Sequence, residues 1–139
     1  MIVLLAALAL TGQTPNEAAW TWTLYEDSPL VLANEVPDTS SLRSTFECDP
    51  GSSIARLTLY GDGAPGMARL SAGQASTVAE AEAGRAGSLK LTVRTDQPAF
   101  AAFAADGRMN VSLGEARQTI EVQPSHLAKL RRFAELCSG

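Results

Sequence analysis

The stretch LRSTFECDPGSSIARLTL, residues 42–59, decides the fold. Leu42, Ser44, Phe46 and Cys48 alternate with Arg43, Thr45 and Glu47, the two-residue period of a strand buried on one face. Asp49-Pro50-Gly51-Ser52 then supplies a turn, because proline presets the first corner and glycine accepts a positive φ. The chain returns through Ala55, Leu57 and Leu59, with Arg56, Thr58 and Tyr60 on the other face. Two half-buried strands joined by a tight turn make an antiparallel hairpin, so the chain builds sheet.

The same alternation extends in both directions. Upstream, Trp20, Trp22 and Leu24 share one face against Thr21, Thr23 and Tyr25, and Pro29 to Ala33 is a short apolar run. Downstream, Met67 to Leu70 reads as a weaker strand, and Leu89, Leu91 and Val93 against Lys90, Thr92 and Arg94 as a clear one. Met109, Val111 and Leu113, then Gln118, Ile120 and Val122, give two more, joined around Gly114-Glu115. Thr77 to Glu82 is ambiguous, since its Ala and Glu favour helix while its place between strands favours sheet. Two segments change period. Residues 98–105 form a short Ala/Phe-rich helix stopped by Asp106-Gly107. Residues 125–137 form a second, with Ser125 as a cap and Leu127, Leu130, Phe133, Ala134 and Cys137 on one stripe. Lys129, Arg131 and Arg132 occupy its other face. Short strands at regular spacing with Gly/Pro turns predict a mainly β domain, an antiparallel β-sandwich or a partly open barrel with two helices.

The apolar run Ile2 to Leu10, which contains the A-x-A site Ala7-Leu8-Ala9 and leads into the polar exit Thr11-Gly12-Gln13, reads as a signal peptide over residues 1–12. A buried first strand of a cytosolic protein, or a mis-assigned start codon, are the alternatives. Such a leader leaves 13–139 as a single domain, exported to the periplasm or beyond. Nine apolar residues are too few to span a bilayer, which takes about twenty, so no stable membrane anchor is expected. Composition agrees with a globular domain: 45% hydrophobic and 19% charged residues exclude both a disordered chain and a membrane-embedded one. A net charge of −4 argues against nucleic acid, whose phosphates demand a basic footprint.

Cys48 ends the inward register of its strand and Cys137 ends the apolar stripe of the last helix, so both point at one interior and are expected to bridge. Two separate buried thiols are the alternative. A redox pair would need C-x-x-C spacing, and one histidine with two distant thiols makes no zinc set. Neither a metal nor another cofactor is expected.

Other chemistry-bearing patterns give way to structural readings. Gly61, Gly63 and Gly66 match G-x-G-x-x-G, but Pro65 removes a backbone donor and no amphipathic helix follows, so a hairpin loop is the better reading. Asp38-Thr39-Ser40 shares three residues with the catalytic loop of aspartic proteases and fits an Asx-turn better. His126 beside Ser125 is no catalytic pair, because adjacent helix residues point apart. Glu80 and Glu82 are a candidate acid and base if a cleft encloses them. No catalytic residue is assigned. Trp20 and Trp22, with Tyr25, are the candidate aromatic platform for a ligand, against the competing reading that the tryptophans are core.

The order Trp20-x-Trp22, Tyr25, a strand ending in Cys48 before Pro50-Gly51-Ser52, an Ala/Phe helix with Phe103 closed by Gly107, and Phe133-x-x-x-Cys137 resembles small uncharacterised bacterial exported proteins. The resemblance covers most of the mature chain. It implies compartment and fold and transfers no activity. The expectation is a non-enzymatic exported module binding a protein or cell-envelope ligand. A carboxylate hydrolase using Asp38, Glu80 or Glu82, or an assembly subunit of an envelope complex, are the alternatives.

Overall fold

In the computed structural model, which describes residues 19–61 and 63–139, the 42–59 hairpin sits inside one continuous antiparallel sheet. The strands in chain order are β1 (Thr21–Glu26), β2 (Leu30–Glu35), β3 (Leu42–Cys48), β4 (Ile54–Leu59), β5 (Gly66–Ala72), β6 (Ala75–Ala83), β7 (Leu89–Arg94), β8 (Arg108–Leu113) and β9 (Ala116–Glu121). Helix α1 (Pro98–Asp106) lies between β7 and β8, and α2 (Leu127–Ser138) follows β9. The expected leader, residues 1–12, falls outside the described residues.

The spatial order is β1-β2-β3-β4-β7-β6-β5-β8-β9, curled into a half-barrel. Of the two architectures expected, the structure takes the partly open barrel rather than the sandwich. The first four strands form a meander; the chain then crosses from β4 to β5, with two strands between them. The ambiguous Ala/Glu tract is β6, the longest strand, paired with β5 from Gly66↔Ala81 to Ala72↔Ala75. Pairing with β5 along most of its length, and with β7 at Glu82 and Ala83, overrides the helical preference of alanine and glutamate.

Both helices pack into the concavity. α1 lies over β5, β6 and β8, and α2 over β1 and β2. Their aromatic residues meet Phe46, whose ring lies 5.4 Å from Phe103, 6.2 Å from Phe100 and Phe133, and 6.4 Å from Trp22. All five rings are buried. Contacts of this kind contribute about 0.5–1.5 kcal/mol each beyond area burial. Gly107 ends α1 at φ 83°, with its N–H on the Phe103 carbonyl at 2.6 Å. A side chain there would also strike the Val122 carbonyl, so glycine is required twice over.

Cys48 and Cys137 are bridged, Cα to Cα 5.7 Å, tying the end of α2 to the β3–β4 turn. The Ser53 N–H to Cys137 carbonyl bond, 2.8 Å, and Gly51 N–H to Leu136 carbonyl bond, 3.0 Å, reinforce the junction. The expected Ser125 cap does not form. A 3₁₀ turn over Pro124–His126 precedes α2, His126 takes the cap position, and no side chain bonds the first-turn N–H groups. Pro124 opens that turn, so Ser125 lies inside it rather than ahead of it.

The basic face of α2 fastens the helix down. Lys129 Nζ donates to the Trp22 carbonyl at 2.7 Å, and Arg131 Nη2 to the Ala105 carbonyl at 3.0 Å, in the last turn of α1. Arg132 pairs with Glu26 at 3.3 Å. Trp22 Nε1 donates to the Glu121 carbonyl at 3.0 Å and so joins β1 to β9 across the unclosed seam.

Candidate functional site

The two ends of the half-barrel differ because the helices fill only one. The β3–β4 turn, the β5–β6 turn and α1 lie at the filled end, as the contact of Gly73 with Ala102 shows. At the other end the concave face continues, and none of the described residues covers it. Register places Gln118 opposite inward-facing Val111, and Ala116 opposite Leu113, yet Gln118 and Ala116 are exposed. This is an open mouth.

A cavity of about 520 Å³ occupies it, with Leu59, Leu89, Leu91 and Val111 below and the buried Ala68 and Ala81 beside them. The room comes from sequence: β5 and β6 present alanines inward where the filled end presents phenylalanines. The glycine run supplies one wall, since Gly63, Ala64, Pro65 and Gly66 line the cavity. This corrects the hairpin-loop expectation, because the run is the crossover from β4 to β5 and no hairpin joins those strands. At Gly63 a Cβ would come within 2.6 Å of Leu89 Cδ1, so the loop rests directly on the apolar floor.

A second, polar cavity of about 220 Å³ adjoins the first, and Gln118 lines both. Trp20, Asn34, Arg43 and Ser44 form one side of it, and Gln118 to Glu121 of β9 the other. Arg43 lies over the Trp20 ring, its guanidinium carbon 4.2 Å from the centroid. Trp20 Nε1 is buried without a hydrogen-bond partner among the described residues. Among the described residues β9 pairs only with β8, and their two-residue turn makes Leu113 and Ala116 a hydrogen-bonded pair. The N–H and C=O of Arg117 and Thr119 therefore point away from β8, along the open rim.

The structure separates most of the candidates read from the sequence. Trp22 is core, at 1% exposure, with its indole nitrogen satisfied. Trp20 is half-buried at the polar cavity, and Tyr25 lies on the opposite, convex face, 43% exposed. The three do not converge on one platform. Tyr25 donates to Glu35 Oε2 at 2.6 Å, and this bond is the main reason its pKa is raised. Glu80 and Glu82 also lie on the convex face, beside Lys90, Glu47 and Arg56 in a shallow depression of about 260 Å³. Asp38 sits in the exposed β2–β3 turn at φ 63°, with the Thr39 hydroxyl donating to the Val36 carbonyl at 2.7 Å. Asx geometry is absent there; threonine makes the bond instead.

His126 is half-buried between β1 and α2. Lys129 Nζ lies 3.3 Å from Nδ1, which must accept because an ammonium only donates, so Nε2 is left to donate to Thr21 Oγ1 at 3.4 Å. Its pKa is lowered, first by desolvation and then by the Lys129 charge. Among the described residues no cluster of three His, Cys, Asp or Glu is placed to hold a metal ion. Among them, too, no helix is long and apolar enough to cross a membrane. No family model, no curated protein and no solved structure matches this chain.

Sequence reading missed the mouth. Its lining is alanine, glycine, leucine and glutamine, none of which carries a motif. The one available signal was the inward register of Ala116 and Gln118 on a strand too polar there to be core.

Proposed function

We propose that this chain is an exported, non-enzymatic binding module of the cell envelope, and that the open mouth is its binding surface. The observation that carries the reading is the uncovered end of the concave face. There an apolar cavity of about 520 Å³ lies next to a polar one, with Gln118 in the lining of both. Ligand sites are commonly concave, mostly apolar and edged by a few polar groups, and barrel mouths are a frequent place for them. The disulfide supports export, since such bonds persist in oxidising compartments, as does the leader-like start of the sequence. The hydrolase alternative is disfavoured by position: Glu80 and Glu82 are on the convex face, and Asp38 is outside the lining of both cavities.

Native mass spectrometry of the mature protein after incubation with envelope extract tests the reading. The parent should retain an added mass, and Ala116→Trp should not, because the exposed Ala116 faces the mouth and a large ring there blocks it. Retention unchanged in that variant, or absent from both, contradicts the proposal.

The backbone of Arg117 and Thr119, unpaired among the described residues, favours a second reading, an assembly subunit that accepts a strand on β9. Under that reading, a proline at Thr119 leaves small-ligand retention intact and abolishes assembly into a larger envelope complex.

A further inference from the structure

We infer that His126 and Lys129 form a proton-sensitive latch: protonation of the ring frees Lys129 from the Trp22 carbonyl and loosens the seam between β1 and β9. The cluster joins three elements. Lys129 Nζ on α2 reaches the Trp22 carbonyl on β1 at 2.7 Å and His126 Nδ1 at 3.3 Å. His126 Nε2 lies 3.4 Å from Thr21 Oγ1. The Trp22 indole in turn donates to the Glu121 carbonyl, at the end of β9, at 3.0 Å. Trp22 is therefore the point at which α2 is held to β1 and β1 to β9.

The arrangement admits the neutral ring and not the charged one. Nδ1 accepts from the ammonium, so the ring carries its proton on Nε2, and Nδ1 is the atom a second proton must take. Once it does, an imidazolium N–H and an ammonium face each other as donors of like charge with no acceptor between them. One of the two has to turn away. Lys129 has the longer and more flexible side chain, and in leaving it gives up the Trp22 carbonyl as well. The carboxylates on the surrounding elements are turned elsewhere. Glu26 on β1 pairs with Arg132 at 3.3 Å, and Glu35 on β2 accepts from Tyr25 at 2.6 Å. Glu121 on β9 faces Arg108 of β8 at 3.7 Å, and Asp106 on α1 lies beside Gly73. Desolvation first, and then the Lys129 charge, lower the ring's pKa, the direction that two opposed donors require.

NMR titration of the protein between about pH 7.5 and 4.5 tests the latch. The Trp22 indole N–H, bonded to the Glu121 carbonyl, reports the seam directly. As His126 takes its proton, below the ordinary 6.5, that N–H and the β1 amides should lose protection several-fold, after correction for the intrinsic pH dependence of exchange. The Ser53 amide, bonded to the Cys137 carbonyl at the disulfide junction, should keep its protection. His126→Gln, which takes no proton, should leave Trp22 protection flat across the range. Lys129→Met should raise the ring's midpoint towards 6.5 and leave the seam equally loose at both ends of the titration. None of these readouts needs a ligand, so the latch stands or falls apart from the binding-module reading. A midpoint at or above 6.5 in the parent, no loss of Trp22 protection there, or the same loss in His126→Gln overturns the inference. So does a midpoint that Lys129→Met leaves unmoved.

Discussion

The filled and the open ends of this half-barrel are made by the same strands and differ in what their inward positions carry. At the filled end Phe46, Phe100, Phe103 and Phe133 interlock and Cys48 is bonded to Cys137. At the open end Leu59, Leu89, Leu91 and Val111 form a floor, Ala68, Ala81, Ala116 and Gln118 leave the space above it, and a glycine-bearing loop makes a wall. Large rings fill the concavity at one end, and small residues at the other leave a space that nothing in the chain's described residues fills. The difference is a division of labour: stability is concentrated where the helices dock, which frees the mouth from contributing much of it. Four substitutions and conditions test this, beginning with the greatest change.

Phe46→Ala should have the largest effect. Phenylalanine truncation in a core costs about 3–5 kcal/mol, and the upper part of that range is expected where four rings lose a common neighbour. Denaturant unfolding measures it. A cost under 1 kcal/mol would mean that the filled end does not carry the fold.

Cys137→Ser comes next. The bridge closes a loop across a sequence separation of 89, for which the chain-entropy model gives about 4.6 kcal/mol as a ceiling. We expect somewhat less, because Lys129, Arg131 and Arg132 still hold α2. Hydrogen exchange should show α2 opening first and β8–β9 unaffected. Uniform loosening of both ends would erase the distinction between them.

At the mouth, Gln118→Leu should move stability by no more than about 0.5 kcal/mol, since the side chain is exposed and its neighbours gain apolar contact. The same variant should alter ligand retention. A stability loss comparable to that of Phe46→Ala would place the mouth in the core.

The smallest effect is a pH dependence from His126. Its folded pKa lies below the ordinary value of 6.5, so folding favours the neutral ring. Its contribution is present above that value and fades as the pH falls through the folded pKa. Mild destabilisation between neutral and weakly acidic pH should follow, and His126→Gln should flatten that part of the profile. A profile steeper in the variant than in the parent would reverse the assignment.

The filled end was legible in the sequence and the mouth was not. Leu42 to Leu59 announced a hairpin, and the stripe from Leu127 to Cys137 announced a helix that would deliver Cys137 to Cys48. Both signals are local periodicities. β6 was harder, because alanine and glutamate lean to helix and only its pairing with β5 and β7 decides the matter. The crossover at Gly61–Gly66 was misread for a related reason. Sequence neighbours usually pair, and here β7 and β6 come between β4 and β5. The mouth depends on where the helices stop, which no residue type encodes. The tryptophans illustrate the limit: they share a strand face, but Trp22 is sealed by the Glu121 carbonyl and Trp20, one turn of the pleat away, reaches the polar cavity.

Hydrogen–deuterium exchange with and without envelope extract that loads the protein tests the central claim most directly. Protection is expected over Gly63–Ala68 and Val111–Thr119, which border the two cavities, with the filled end unchanged. Protection confined to the convex face around Glu47, Glu80, Glu82 and Lys90 would contradict the account and return attention to the carboxylates.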